Sequence, residues 1–147
     1  MTVAFIVNNK DVTASDNSTF DRIDPVTGDV ATTAAAAKAA DAAAVAQAAG
    51  AAFPAWATTG PGERRALLNK AADITDAKAD DFLATMIAET GATGPWAGFN
   101  VMLAAGVIRE AAALTTQIGG EVIPSNKPGT LAMGIATPKG VCLGIAP

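Results

Sequence analysis

Cys142 is the side chain best suited to nucleophilic chemistry in this sequence, and it is the only cysteine among 147 residues. Activation of a cysteine requires a neighbouring base, a cation or a helix N-terminus that favours the thiolate. None is adjacent to Cys142, which lies inside the apolar run VCLGI, where a free cysteine usually serves as a small buried hydrophobe. We therefore interpret Cys142 as a packing residue, and a redox or acyl-transfer thiol is the alternative.

Three glycine clusters are candidates for phosphate binding: GPGER at residue 60, GATGPWAG at residue 91 and IGGEV at residue 118. None has the spacing GxGxxG or GxxxxGK(S/T) that places backbone N–H groups around a phosphate. Glycine and proline at these positions are better explained as the starts and ends of helices. The clusters therefore predict helix boundaries.

Carboxylates are the remaining candidates for acid–base or metal chemistry, and the sequence places Asp80, Asp81 and Glu89 in one region. Solvated helix faces and partners for helix N-termini are commoner roles for such side chains. With no histidine and one cysteine, the sequence lacks the usual ligands of a zinc site and the second cysteine of an internal disulfide. We predict no catalytic residue and no metal site.

Trp96 directly follows the Gly-Pro pair that begins a predicted helix, and Phe99 and Asn100 come about one turn later. An indole at this place is either a core anchor or one wall of an aromatic pocket. The spacing by itself favours the core anchor. The residues alone therefore identify no binding site.

Short strands occupy the beginning of the chain. A β-branched and aromatic run predicts a hairpin over residues 3–12, with Asn8 and Asn9 in its turn. Further strand signals at residues 20–23 and 29–33 flank the turn DPVTG, whose glycine can adopt a left-handed conformation. The strands precede every residue discussed above.

Four helices follow the strands. The apolar periodicity starts the first helix near Asp41, and we expect Pro54 to end it. Pro61 begins the second helix, Gly91 ends the third, and Pro95 begins the fourth. The second helix is predicted to bury Leu67, Leu68, Ala71 and Ile74, and the fourth a face formed by Val101, Ala104, Ala105, Ile108, Ala111, Ala112 and Thr115.

The end of the chain is predicted to be extended. The stretch EVIPSNKPG, residues 121–129, is predicted to be a polar connection. Residues 130–137 and 141–146 are predicted to be two extended runs around a proline-led turn at 138–140. The only cysteine lies in the second run.

Composition limits both the core and the partners. The hydrophobic fraction of 50% is dominated by alanine, and five Phe, two Trp and no Tyr give a thin core. The net charge of −4 with scattered Lys and Arg argues against nucleic-acid or anionic-membrane binding. No stretch approaches the roughly 20 strongly apolar residues that span a bilayer, and no signal peptide is recognisable. We expect a cytoplasmic protein.

The order of the segments carries more information than any single residue. The turn DPVTG, the helix ADAAAVAQAAGAAFPAW, the helix start PGERRALL, the stretch ETG at residues 89–91 and the closing PKGVCLGIAP together resemble the N-terminal part of the aldehyde dehydrogenase superfamily. The resemblance covers essentially the whole chain. The stretch WAGFNVMLAAGVIREAAALTTQIGGEVIP is especially similar to bacterial salicylaldehyde and aromatic aldehyde dehydrogenases. One departure is Asp24, where the family more often has asparagine, and both residues form the same turn.

The resemblance implies an α/β fold in which this chain is the incomplete N-terminal portion of a Rossmann-like NAD(P)-binding domain. Residues 1–120 would belong to that domain, residues 121–140 to a β-arm used for oligomerisation, and residues 141–147 to a strand returning to the domain. It further implies a small-molecule aldehyde as substrate, NAD or NADP as cofactor, and a parent homodimer or homotetramer joined through the arm.

The resemblance also assigns roles residue by residue. Ile145, Ala146 and Pro147 match the start of a loop that contacts the cofactor, and Trp96, Phe99 and Leu103 match the helix that lines the aldehyde tunnel. The latter match favours the aromatic-pocket interpretation of Trp96.

In the family a cysteine thiolate attacks the aldehyde, hydride passes to NAD(P) and a glutamate-activated water hydrolyses the thioester, with these residues further along the chain. We expect a fragment that is inactive alone. A stand-alone, non-catalytic module of the same shape is the alternative.

Overall fold

The computed structural model describes residues 2–145. Strands come first in the chain, followed by four helices and a final pair of strands. The elements are β1 (Thr2–Val3), β2 (Phe5–Val7), β3 (Lys10–Val12), β4 (Thr19–Ile23), β5 (Val30–Ala35), α1 (Ala39–Ala57), α2 (Pro61–Ala77), α3 (Ala79–Thr90), α4 (Gly94–Leu114), a 3₁₀ turn (Thr115–Gln117), β6 (Gly120–Ile123) and β7 (Ala132–Ile135). The predicted order of strands and helices is confirmed.

The first five strands form a small sheet and a separate hairpin. β5 is the central strand of the sheet, parallel to β1 and antiparallel to β4. β2 and β3 form the predicted antiparallel hairpin. Asn8 and Asn9 take positive φ angles of 52° and 60°, as a two-residue hairpin turn of type I′ requires.

The turn DPVTG joins β4 to β5 as predicted. The Asp24 carboxylate accepts hydrogen bonds from the backbone N–H groups of Val26 at 2.8 Å and Thr27 at 3.3 Å, which is an Asx turn. Gly28 has a φ of +80° and donates its N–H to the Asp24 carbonyl oxygen at 2.9 Å. The same turn lies against the end of α3. The approach is so close that a Cβ added to Gly91 would lie 2.9 Å from Pro25 Cγ.

Proline and glycine mark most of the predicted helix boundaries. α2 begins at Pro61, and α4 begins at Gly94 with Pro95 in its first turn. α3 ends at Gly91, whose φ of +69° is the left-handed conformation of a C-terminal cap. These predictions are confirmed.

The predicted end of α1 at Pro54 is wrong, because the helix continues to Ala57. A proline removes one backbone hydrogen bond, but the carbonyl groups of the following turn have other donors here. Arg64 Nη2 donates to the carbonyl oxygens of Trp56 at 3.1 Å and Ala57 at 3.4 Å. Thr58 Oγ1 donates to the Ala55 carbonyl oxygen at 3.0 Å.

The predicted buried stripe of α2 is largely wrong. Leu67 and Ile74 are each 48% exposed and Ala71 is exposed, whereas Ala72 is fully buried and Leu68 is half-buried. α2 is apolar on two faces, and α4 packs against the face that contains Ala72. Periodicity identified an apolar face but not the one that α4 covers.

The predicted buried face of α4 is mostly confirmed. Its buried members are Val101, Ala105, Ala112 and Thr115, Ile108 is half-buried, and Ala104 and Ala111 are exposed. Among residues 2–145 no large side chain is fully buried, and alanine supplies most of the core. The prediction of a thin core is therefore confirmed.

α4 also changes one expectation about membranes. By length and composition alone, the segment Gly94–Gln117 is long and apolar enough to cross a bilayer, so the prediction that no stretch approaches this limit is wrong. The core helix of a soluble protein meets the same criterion. α4 packs along α2 and α3 in this structure.

The last described residues form a ribbon and an unpaired segment. β6 pairs antiparallel with β7, so the predicted polar connection at 121–129 begins as a strand. Residues 141–145 form no ladder with any strand of the described chain. Cys142 is exposed, so its predicted burial is wrong, because no partner strand covers this run. The division of the chain into a domain portion (residues 1–120), an arm (121–140) and a returning strand (141–147) remains a prediction.

Candidate substrate-binding face

Trp96, Phe99 and Leu103 lie on one face of α4. Their spacing of three and four residues places them on successive turns. The Trp96 and Phe99 rings are stacked, with centroids 5.5 Å apart and an interplanar angle of 27°. The three residues, which we name the aromatic stripe, are 57%, 43% and 49% exposed.

The aromatic stripe points away from the core. At about 100° per residue, it lies roughly 170° around α4 from the face that buries Val101 and Ala105. Trp96 is therefore not a core anchor among the described residues. Apolar side chains aligned on an outward face mark a surface that binds something or is covered by another part of a protein.

Two arginines join α2 to α4, the helix that carries the aromatic stripe. Arg65 of α2 donates to the end of α4, from Nε to the Ala112 carbonyl oxygen at 3.2 Å and from Nη2 to Thr116 Oγ1 at 2.8 Å. In the opposite direction, Arg109 Nη2 of α4 lies 2.9 Å from Asp73 Oδ1 and 2.6 Å from Asp76 Oδ2. Asp76 and Asp73 raise the pKa of Arg109 above its ordinary value by accepting these hydrogen bonds.

α4 also borders a second apolar surface. It is a groove of about 460 Å³ between α3 and α4, whose apolar lining includes Phe82, Met86 and Ile108. Asn100 lies at its edge and donates from Nδ2 to the Trp96 carbonyl oxygen at 2.8 Å. The sequence analysis did not predict this groove. The available signal was that α3 and α4 each carry more apolar residues than a single contact between two helices would bury.

The predicted cofactor-contact residues are barely represented in the structure. Ile145 is 86% exposed, and Ala146 and Pro147 lie outside the described residues. One exposed aliphatic side chain cannot by itself hold a dinucleotide. The prediction that these three residues contact the cofactor therefore stays a prediction.

The remaining candidates form no catalytic arrangement in the described residues. Glu89 pairs with Arg22 at 2.9 Å, whereas Asp80 and Asp81 lie in the first turn of α3. In residues 2–145 there is no group of three metal-capable side chains. Among the described residues, Cys142 Sγ donates only to the Gly140 carbonyl oxygen, 3.9 Å away.

Comparison with known proteins identifies the family of this chain. Residues 12–147 match the sequence profile of the aldehyde dehydrogenase family, and the chain belongs to that family. The resemblance found in the sequence is thereby confirmed, as is the α/β fold of an N-terminal, incomplete cofactor domain.

Several relatives named for aromatic aldehydes are similar to the chain. It is 54% identical over 145 residues to vanillin dehydrogenase of Pseudomonas sp. strain HR199, covering 99% of this chain and 30% of that protein. The crystal structure of salicylaldehyde dehydrogenase from Pseudomonas putida G7 with salicylaldehyde superposes with a TM-score of 0.91 at 46% identity, over 94% of this chain and 28% of that one.

A solved structure of lower sequence identity is also similar to the chain. The NAD-dependent benzaldehyde dehydrogenase of Corynebacterium glutamicum gives a TM-score of 0.82 at 26% identity, over 88% of this chain and 28% of that one. The chain thus spans about 30% of the length of the curated relatives that it matches. The similarity concerns their N-terminal part.

Proposed function

We propose that this chain is the N-terminal part of an NAD(P)-dependent dehydrogenase that oxidises aromatic aldehydes to carboxylic acids, and that the aromatic stripe is one wall of its aldehyde site. The observation that carries the proposal is the stacked Trp96–Phe99 pair on the outward face of α4. The names of three similar proteins, dehydrogenases of vanillin, salicylaldehyde and benzaldehyde, support the choice of substrate. A stand-alone binding module is not favoured, because these relatives are longer enzymes.

The stripe would recognise a flat substrate by shape and polarisability. A ring stacked on Trp96 or Phe99 gains about 0.5–1.5 kcal/mol beyond its area burial, and an aliphatic aldehyde lacks this term. Leu103, which is 49% exposed, would extend the apolar wall by one more turn. We therefore expect the enzyme to bind aromatic aldehydes more tightly than aliphatic ones.

The chemical step is assigned to residues that this chain does not supply. As the family resemblance implies, a cysteine thiolate adds to the aldehyde to form a thiohemiacetal, loss of hydride converts it to a thioester, and a glutamate-activated water hydrolyses the thioester to the carboxylic acid and frees the thiolate. NAD or NADP supplies the hydride acceptor when bound. Within this chain, residues 145–147 are proposed to lie against the cofactor, and the chain alone is expected to be inactive.

The β6–β7 ribbon is proposed to join copies of the full-length enzyme. Its strands are exposed over most of their length, and Val122 and Ile135 are more than 70% exposed. Exposed apolar edges of this kind pair readily with another chain. We therefore extend the proposal to a cytoplasmic homodimer or homotetramer held through residues 121–140.

The proposal can be tested in a full-length enzyme built from this chain. The chimera joins residues 1–147 to the remainder of the Pseudomonas putida salicylaldehyde dehydrogenase, in place of that enzyme's own N-terminal part. The substitution Trp96→Ala in the chimera is expected to lower kcat/KM for salicylaldehyde by about 2- to 12-fold, the stacking energy converted to a ratio, and to leave hexanal oxidation nearly unchanged.

Met102→Ala is the matched control for this experiment. Met102 is 64% exposed on the same helix, but it points about 90° away from the aromatic stripe. Equal losses for Trp96→Ala and Met102→Ala, or equal losses for both aldehydes, would show that the stripe is not a substrate wall.

A further inference from the structure

The residues that α2 and α4 bury are mainly alanines. α2 and α4 make the most extensive contact of any two elements in the described chain, and the side chains that they bury include Ala72, Ala105 and Ala112. Small side chains allow two helix backbones to approach closely, but they offer few projections that interlock. Packing alone therefore constrains the rotation of α4 about its axis only weakly.

Arg65 supplies the directional contact that this seam lacks. Its guanidinium donates to the Ala112 carbonyl oxygen at 3.2 Å, the Ala113 carbonyl oxygen at 3.4 Å and Thr116 Oγ1 at 2.8 Å. The Ala112 carbonyl oxygen also accepts from the Thr115 N–H and from Thr115 Oγ1 at 2.9 Å, so Arg65 adds a further donor at the end of α4, where carbonyl groups lack the usual helical partners. Because the guanidinium is a rigid planar fork, three acceptors held at once fix both the position and the rotation of the end of α4.

The second arginine contact supports the first but is less restrictive. Arg109 uses one nitrogen atom, Nη2, for both Asp73 and Asp76, and all three side chains are more than 40% exposed. Exposed ion pairs are screened by salt and tolerate changes in geometry. Arg65, which reaches the helix end through two nitrogen atoms, is the stronger constraint.

We infer that Arg65 is a positioning residue for the aromatic stripe and that it sets the preference for aromatic over aliphatic aldehydes from the far end of α4. This inference rests on the proposed function. Side chains extend about 5–6 Å from a helix axis, so a rotation of about 10° moves them by about 1 Å. A shift of this size would weaken the stacking of an aromatic substrate on Trp96 and Phe99 and would leave an aliphatic substrate less affected.

The test compares two neighbouring arginines in the chimera. Arg65→Lys keeps the charge but loses the fork, and we expect it to lower the ratio of kcat/KM for salicylaldehyde over that for hexanal by about 2- to 10-fold, no more than the loss of the Trp96 stacking itself. Arg64→Lys is the control, because Arg64 makes the same kind of bond to the carbonyl oxygens of Trp56 and Ala57 at the end of α1. The control is expected to leave the ratio unchanged.

A purely structural role of Arg65 would lower both activities or the thermal midpoint without changing the ratio, and this result would overturn the inference. If Arg65→Lys does not fold, Thr116→Val removes a single acceptor and is expected to shift the ratio in the same direction by a smaller factor. An unchanged ratio with folded Thr116→Val protein would likewise contradict the inference. A chimera that shows no preference for aromatic aldehydes before any substitution would instead refute the proposed function.

Discussion

Gly91 is expected to be the most sensitive single position at the junction between the helices and the sheet. It ends α3 with a φ of +69° and donates its N–H to the Ile87 carbonyl oxygen at 2.9 Å. A Cβ at this position would lie 2.9 Å from Pro25 Cγ and 3.3 Å from Val26 Cγ2. Gly91→Ala therefore meets both an unfavourable backbone conformation and a steric overlap.

The two costs can be separated by a second glycine of the same conformation. A left-handed backbone costs a non-glycine residue about 1–2 kcal/mol, and overpacking typically costs about 1–3 kcal/mol. Gly28 has a φ of +80°, but a Cβ added there meets nothing within 4 Å. We expect Gly28→Ala to lower the local free energy of opening by about 1–2 kcal/mol and Gly91→Ala by about 2–5 kcal/mol.

Native-state hydrogen exchange of the chimera measures these local free energies without requiring cooperative global unfolding. Peptides that cover residues 86–94 and 22–31 report on Gly91 and Gly28 respectively. Equal losses at the two positions would refute the reasoning, because the contact between Gly91 and the turn at Pro25 would then contribute nothing.

Two further predictions concern the ends of the helical region. The hydrogen bond from the Lys38 N–H chiefly lowers the pKa of the Asp41 carboxylate, and the bond from the Ser15 N–H lowers it further. The ionised carboxylate therefore stabilises the fold fully at pH values above its ordinary pKa. This stabilisation is lost as the pH falls through the lowered pKa. Asp41→Ala should therefore increase proteolysis within α1 at neutral pH but not in strong acid, and equal cleavage of both proteins at neutral pH would contradict this. Gly120→Ala places a Cβ against the Gly134 carbonyl oxygen, whereas Gly134→Ala makes only ordinary contacts. Sedimentation of the chimera should therefore show loss of oligomers with Gly120→Ala but not with Gly134→Ala. The same oligomeric state for both variants would argue against oligomerisation through the arm.

Local signals predicted the fold well where one residue type decides a backbone conformation. Asn8 and Asn9 produced the hairpin turn, and Gly28 and Gly91 took the positive φ angles expected of them. Pro61 began its helix as predicted. Each of these outcomes depends on steric limits within a few residues, and for that reason the sequence alone was sufficient.

Predictions failed where a distant element decides the outcome. The sequence of α2 offers two apolar faces, and only the position of α4 determines that Ala72 is buried while Leu67 and Ile74 are exposed. The turn of α1 that follows Pro54 receives hydrogen bonds from Arg64, which belongs to the next helix. Neither contact has a local signature.

The candidate site was predictable only in part. Periodicity placed Val101 and Ala105 on the buried face of α4, but it assigned Trp96 to the core. The family resemblance grouped Trp96 with Phe99 and Leu103, and the structure places the three on one exposed face. The groove between α3 and α4 and the contacts of Arg65 with α4 depend on the relative positions of three helices, which spacing along the chain does not contain.

The central claim is that this chain supplies the substrate-selecting wall of an aromatic aldehyde dehydrogenase. Its most direct test is the activity of the unsubstituted chimera, measured as NADH or NADPH formation with salicylaldehyde, vanillin and hexanal, beside residues 1–147 alone. We predict turnover of both aromatic aldehydes in clear preference to hexanal, and no turnover by the chain alone. A folded chimera that oxidises hexanal as well as the aromatic aldehydes would contradict the account.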